Sequence, residues 1–82
     1  MRLNPLRADR ILSLKRRGLL NKFEKQARLF ERNPQHPSLH TERLQPLSLR
    51  LYLFRIDLKY RVIFLLKTPG ETEIVDINDH YQ

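Results

Sequence analysis

Leu49 to Lys67 reads LRLYLFRIDLKYRVIFLLK, a run without glycine or proline in which aliphatic and aromatic residues crowd both halves and a polar break falls at Asp57-Leu58-Lys59. Such residues fit the pleated, half-buried surface of a sheet, so the run predicts two strands, 49–56 and 60–67, joined by a hairpin-sized connection. Folding about Leu58 sets Ile56 beside Tyr60 and Arg55 beside Arg61, which puts both arginines on one face. Downstream, Pro69-Gly70 supplies a second turn, and Glu73 to Ile77 reads as a third strand leading to the terminal Asp79-His80-Tyr81-Gln82.

Upstream, the period changes. Asn4-Pro5 reads as a helix start, and a first helix is expected over about 5–17, where Gly18 ends it beside Lys15, Arg16 and Arg17. A second helix is expected from Leu19 to Arg32. Leu19, Leu20, Phe23, Ala27 and Phe30 share one arc of a 3.6-residue wheel, and Lys22, Lys25, Arg28 and Arg32 share the opposite arc. Asn33-Pro34 ends that helix, and Asn33 to Pro46, with three prolines and no sustained period, reads as a loop. Only Met1 to Asn4 is left for an N-terminal strand, which is expected to be short or absent. Helices gathered before an antiparallel meander imply a single α+β domain over residues 1–82, one helical layer on one sheet.

The chain has 82 residues, 40% of them hydrophobic, no cysteine and a formal net charge of +7. At this size folding buries only about 60% of the chain's surface, which leaves one core and no large enclosed pocket, so a substrate is expected to be met on the surface. The lack of cysteine removes disulfides and thiolate metal sites. Arginines interrupt every apolar run near the N-terminus, and no run approaches the ~18 residues of a membrane span; the cytoplasm is the expected compartment. The charge is uneven: residues 1–32 carry ten cations and three anions, residues 33–67 six and two, and residues 68–82 four anions and no cation. A basic body of this kind attracts polyanions, whether nucleic acid, an anionic membrane or an acidic protein.

Familiar catalytic spacings are absent: there is no glycine-rich phosphate loop, no nucleophile elbow and no HExxH. His36 and His40 are separated by Pro37 and cannot share a helical face as paired zinc ligands, so they read as solvated loop histidines. What remains is dispersed: Glu42, the hairpin arginines Arg55 and Arg61, and the terminal His80 and Tyr81. Metal-free RNA cleavage needs a base for the ribose 2′-hydroxyl, a cation for the charge growing on the phosphate, and an acid for the leaving 5′-oxygen. Glu42, Arg61 and His80 supply those types, with Tyr81 able to stack on a base or bond a phosphate.

Three segments together resemble the RelE/ParE superfamily of type II toxin–antitoxin toxins. They are Asn33-Pro34-Gln35-His36-Pro37-Ser38-Leu39, then Phe54-Arg55-Ile56-Asp57-Leu58-Lys59-Tyr60-Arg61-Val62-Ile63-Phe64, then Ile74-Val75-Asp76-Ile77-Asn78-Asp79-His80-Tyr81. The resemblance implies two N-terminal helices packed on a mostly antiparallel, twisted sheet. It implies a ribosome-dependent endoribonuclease that cuts mRNA in the A site without metal or cofactor, leaving a 2′,3′-cyclic phosphate.

In the YoeB-like branch a glutamate is the base, a strand arginine holds the phosphate, and a near-terminal His-Tyr pair acts as acid and positioning group. Glu42, Arg61, His80 and Tyr81 fall at those positions. Arg55 and Lys59 are expected to assist with the phosphate, and Lys22, Lys25, Arg28 and Arg32 to dock on ribosomal RNA. The implied partners are a cognate antitoxin, the ribosome and mRNA, with no membrane and no small-molecule cofactor. The same resemblance admits two other readings: a ParE-like gyrase inhibitor, and a non-catalytic member that only binds antitoxin.

Overall fold

A computed structural model of the chain describes residues 1–79. The elements run β1 (Arg2–Leu3), α1 (Ala8–Arg16), α2 (Leu20–Arg32), a 3₁₀ turn (Pro37–Leu39), β2 (Glu42–Arg43), a second 3₁₀ turn (Leu47–Leu49), β3 (Leu51–Arg55), β4 (Arg61–Thr68) and β5 (Glu71–Asn78). The five strands form one sheet in the order β1-β5-β4-β3-β2. Only the β1–β5 pair is parallel. The architecture is the expected α+β one, with two helices on one sheet face.

The hairpin folds as its composition requires. Arg55 pairs with Arg61 across β3 and β4, and the Ile56 N–H donates to Tyr60 O at 2.9 Å. Asp57 builds the turn: its Oδ1 accepts from the Lys59 N–H at 2.9 Å and the Tyr60 N–H at 2.7 Å. Gly70, at φ +87°, makes the turn into β5 in a conformation that costs a side chain-bearing residue more.

Three expectations change. The first helix begins at Ala8, because Asn4 is taken by the sheet instead: its N–H donates to Thr72 O at 2.8 Å, so the segment leading to α1 is the end of an edge pairing. Arg7 stands at the N-cap in extended conformation. The stretch expected to be a loop holds the 3₁₀ turn 37–39, capped by the His36 ring, which accepts from the Ser38 N–H at 3.2 Å, and the strand β2. Two residues carry no periodicity, so only their pairing with Tyr52 and Leu53 of β3 reveals that strand. The third strand is also longer than expected, because the tight Gly70 turn lets pairing resume at Glu71.

The apolar arc of α2 packs on β3 and β4. Phe30 is fully buried, its ring 5.1 Å from Phe54 in a stacked pair and 4.9 Å from Phe64 edge-on. Leu14 of α1, Leu19, Phe23 and Val62 complete that layer. The i to i−5 bond from the Leu19 N–H to Leu14 O (2.8 Å) closes α1 around Gly18 at φ +68°, as the glycine there implies. The buried Thr72 hydroxyl donates to Arg2 O at 2.9 Å and ties β1 to β5.

Candidate functional site

Side chains alternate across a strand, so burial of Phe54, Val62 and Phe64 under the helices sends Arg55, Arg61 and Ile63 to the opposite sheet face. The register there forms two rows. Arg55, Arg61 and Asn78 are consecutive partners across β3, β4 and β5, and Glu42, Leu53, Ile63 and Asp76 are consecutive partners across β2 to β5. Glu42 and Arg61 therefore share a face but are not neighbours. They are two strands and one row apart, about 12 Å at the backbone from strand spacing and rise. Glu42 and the Arg55–Arg61 pair flank a floor made by Leu53 and Ile63.

Two arginines directly opposed on adjacent strands repel, by a few tenths to about 1 kcal/mol for like charges in this position. A phosphate between them reverses the sign of that interaction, and guanidinium forks match its oxygens. Arg61 is oriented by an Nη1–H bond to Lys59 O at 3.0 Å. Lys59 lies at the same end of the sheet, its Nζ 3.8 Å from Asp79 and 5.5 Å from the centre of the Tyr60 ring. The expected roles of His80 and Tyr81 lie outside the described residues; β5 ends with Asn78 opposite Arg61.

The basic arc of α2 is not part of this surface. Lys25, Arg28 and Arg32 are exposed on the side of α2 away from the sheet, so they face the other way from Arg55 and Arg61, whereas Lys22, expected on the same arc, lies at the flank of the helix beside the sheet. Lys22 reaches the hairpin turn, its Nζ 3.6 Å from Asp57 Oδ2. Burial of Asp57 opposes its ionisation and is the largest single influence on it. The backbone bonds from Tyr60 and Lys59 and the nearby Lys22 together outweigh that, and its pKa falls below the ordinary 3.8.

A lowered folded pKa means that the unfolded state binds more protons near pH 4, so this stabilisation is present above 3.8 and is lost as pH falls through the folded value. Asp57→Asn keeps an acceptor oxygen but loses the charge. It is expected to cost about 1 kcal/mol at pH 7 and nothing once the native aspartic acid is protonated, as urea unfolding at the two extremes would register. An equal cost at both would remove the charge from the account.

Two residues outside the expected site shape it. Gln26 is 7% exposed and donates from Nε2 to Ser38 O at 3.2 Å and Arg55 O at 2.9 Å, pinning the 3₁₀ turn to the end of β3. A signal existed: 19, 23, 26 and 30 lie along one buried stripe, and a lone polar residue in such a stripe needs partners. His40 is exposed, as expected of a solvated loop histidine, but it stands at φ +48° at the end of the 3₁₀ turn and lines a cleft with Arg55. Among the described residues no group of three or more His, Cys, Asp or Glu could hold a metal ion, and no helix is long and apolar enough to cross a membrane.

Neither a family model nor a curated protein sequence matches the chain. A solved structure titled YoeB/ParE toxin from Agrobacterium tumefaciens superimposes with a TM-score of 0.73 at 20% identity, covering 99% of this chain and all of that one. An overlap of that extent at so low an identity speaks to backbone architecture, and it agrees in kind with the motifs at 33–39, 54–64 and 74–81. The chain thus has the fold of the RelE/ParE toxins.

Proposed function

We propose that the protein is the toxin of a type II toxin–antitoxin pair and cuts mRNA on the ribosome as a metal-independent endoribonuclease. The observation that supports this most is the Arg55–Arg61 pair, two like charges directly opposed on the sheet face that carries Glu42. In this reading Glu42 takes the proton of the ribose 2′-hydroxyl, whose oxygen attacks phosphorus. The bond to the 5′-oxygen breaks and a 2′,3′-cyclic phosphate forms. Arg61, with Arg55 and Lys59, offsets the charge growing on the phosphate oxygens, His80 protonates the departing 5′-oxygen, and Tyr81 positions the substrate.

Lys25, Arg28 and Arg32 of α2 point away from that face and suit ribosomal RNA on the far side, with Lys22 at the flank, so the protein would sit between rRNA and message. The antitoxin partner would carry an acidic segment with apolar anchors, and its binding would weaken as salt rises.

Glu42 is exposed in a two-residue edge strand, so Glu42→Gln leaves folding unchanged. That variant is expected to slow single-turnover cleavage on programmed ribosomes by roughly 10²–10⁴, the usual value of a general base. End-group analysis of the wild-type products should find 2′,3′-cyclic phosphate. Full-speed cutting by Glu42→Gln would remove the base from the mechanism. The solved relative's title joins YoeB with ParE, so a gyrase supercoiling assay belongs beside this test, where inhibition with intact mRNA would replace the nuclease reading by a gyrase one.

A further inference from the structure

Beside Arg55 lies a cleft of about 250 Å³, lined by Ser38, His40, Arg55, Ile56, Asp57 and Leu58. Its outer wall is the tip of the β3–β4 hairpin. There Leu58 is 90% exposed, against 37–53% for the other exposed large hydrophobics. One exposed leucine is ordinary by itself. Here, however, the turn that presents it is fixed, because Asp57 accepts from the Lys59 and Tyr60 N–H groups on its far side and pairs with Lys22. The inner wall is fixed as well. His40 holds a left-handed conformation, uncommon for a residue with a side chain, and its N–H donates to Pro37 O at 3.3 Å. One buried amide, Gln26, bonds the backbone of both walls, at Ser38 and at Arg55. The cleft is therefore preformed, and it is bordered by His40 and Leu58 with Arg55 between them.

We propose that this cleft is a nucleobase subsite, receiving the base of the nucleotide next to the phosphate held between Arg55 and Arg61. The inference rests on the nuclease reading above and adds where the message is gripped. A base has two apolar faces and a polar rim, and in single-stranded RNA it is free to turn out and stack. His40 supplies a ring to stack on and Leu58 an apolar lid. Arg55 belongs both to the cleft and to the cross-strand arginine pair, so base and phosphate meet at one residue. The positive side chain at that junction favours a ligand in which a planar ring is tethered to an anion, and disfavours an uncharged apolar peptide.

The test follows the Leu58 methyl groups and the His40 ring proton by NMR as the full chain is titrated with AMP, with UMP and with ribose 5-phosphate. Both nucleotides should shift both residues, and ribose 5-phosphate, which has the phosphate but no base, should shift the Arg55 side chain only. Leu58→Ser and His40→Asn, which keep the fold and the left-handed position, should each weaken AMP binding about fivefold or more, the lower range for one stacked base, and leave ribose 5-phosphate unchanged.

A 2′-O-methyl trinucleotide, which lacks the attacking hydroxyl, should bind more tightly than AMP. Affinity no better than AMP's would assign the cleft to free nucleotides and overturn its role in gripping message. Leu58 and His40 signals that stay still, or that move equally with ribose 5-phosphate, would overturn the subsite itself. Cleavage on the ribosome without any base contact sinks the subsite alone, whereas base binding by a protein that leaves mRNA intact sinks the nuclease reading alone.

Discussion

Arg61→Ala is expected to lower mRNA cleavage by two to three orders of magnitude while the protein stays folded. Arg61 sits on β4 between Arg55 and Asn78, on the face away from the helices, and the Val62 and Phe64 side chains that anchor β4 in the core point the other way. Truncating it removes a permanent cation from the place where the account puts the growing phosphate charge. The loss of one such preorganised donor costs roughly 10²–10³ in rate. The fold should survive, because Val62 and Phe64, which anchor β4 in the core, are untouched and Arg55 loses a like-charged neighbour directly opposite it. Arg61→Lys separates charge from geometry, since an ammonium keeps the field without the two-pronged fork and should restore only part of the rate. The check is a cleavage time course on programmed ribosomes beside a thermal melt. A folded Arg61→Ala protein that cuts at the wild-type rate contradicts the assignment.

The second large effect concerns stability. Phe30→Ala empties the centre of the layer between α2 and the sheet, where Phe30 touches Phe54 and Phe64 at ring distances of 5.1 and 4.9 Å with no exposure to solvent. Truncation of a buried phenylalanine costs about 3–5 kcal/mol, transfer and cavity together. Domains of this size have only about 5–10 kcal/mol in total, so the variant should melt about 15–30 °C lower and be partly unfolded at 37 °C. Urea unfolding with a lowered midpoint and an unchanged slope is the expected signature. Leu58→Ser, at a 90% exposed position, should shift the midpoint hardly at all. A melting loss of only a few degrees in Phe30→Ala would mean that the core is organised elsewhere.

The elements legible in the sequence are those with enough residues to show a period. The β3–β4 hairpin, with Arg55 opposite Arg61, follows from its composition and a short turn, and the buried arc of α2 follows from its spacing. The two-residue strands β1 and β2 could not be read that way. Their existence depends on partners far along the chain, Glu71 and Thr72 for the first and Tyr52 and Leu53 for the second. The start of α1 was misjudged for the same reason, since Asn4 has a sheet partner that local preference does not reveal.

At the site, residue types were readable and mutual position was not. Nothing local tells that Glu42 and Arg61 share a face two strands apart, or that the basic arc of α2 turns away from them. His40 is exposed as its loop setting implies, and only the path of the loop beside β3 brings it to the cleft next to Arg55. Gln26 was legible in principle, as a polar interruption of an apolar stripe, and its two backbone partners are what hold the loop against β3.

The sheet face opposite the helices is proposed to grip and cut a message through its paired arginines. The most direct test is to map new transcript 5′ ends after brief induction of the wild type and of Arg61→Ala in otherwise identical cells. Cuts at a fixed position within translated codons are expected for the wild type, with their near-complete loss in the variant. Transcripts left whole by the wild type, or an identical set of ends from both proteins, would contradict it.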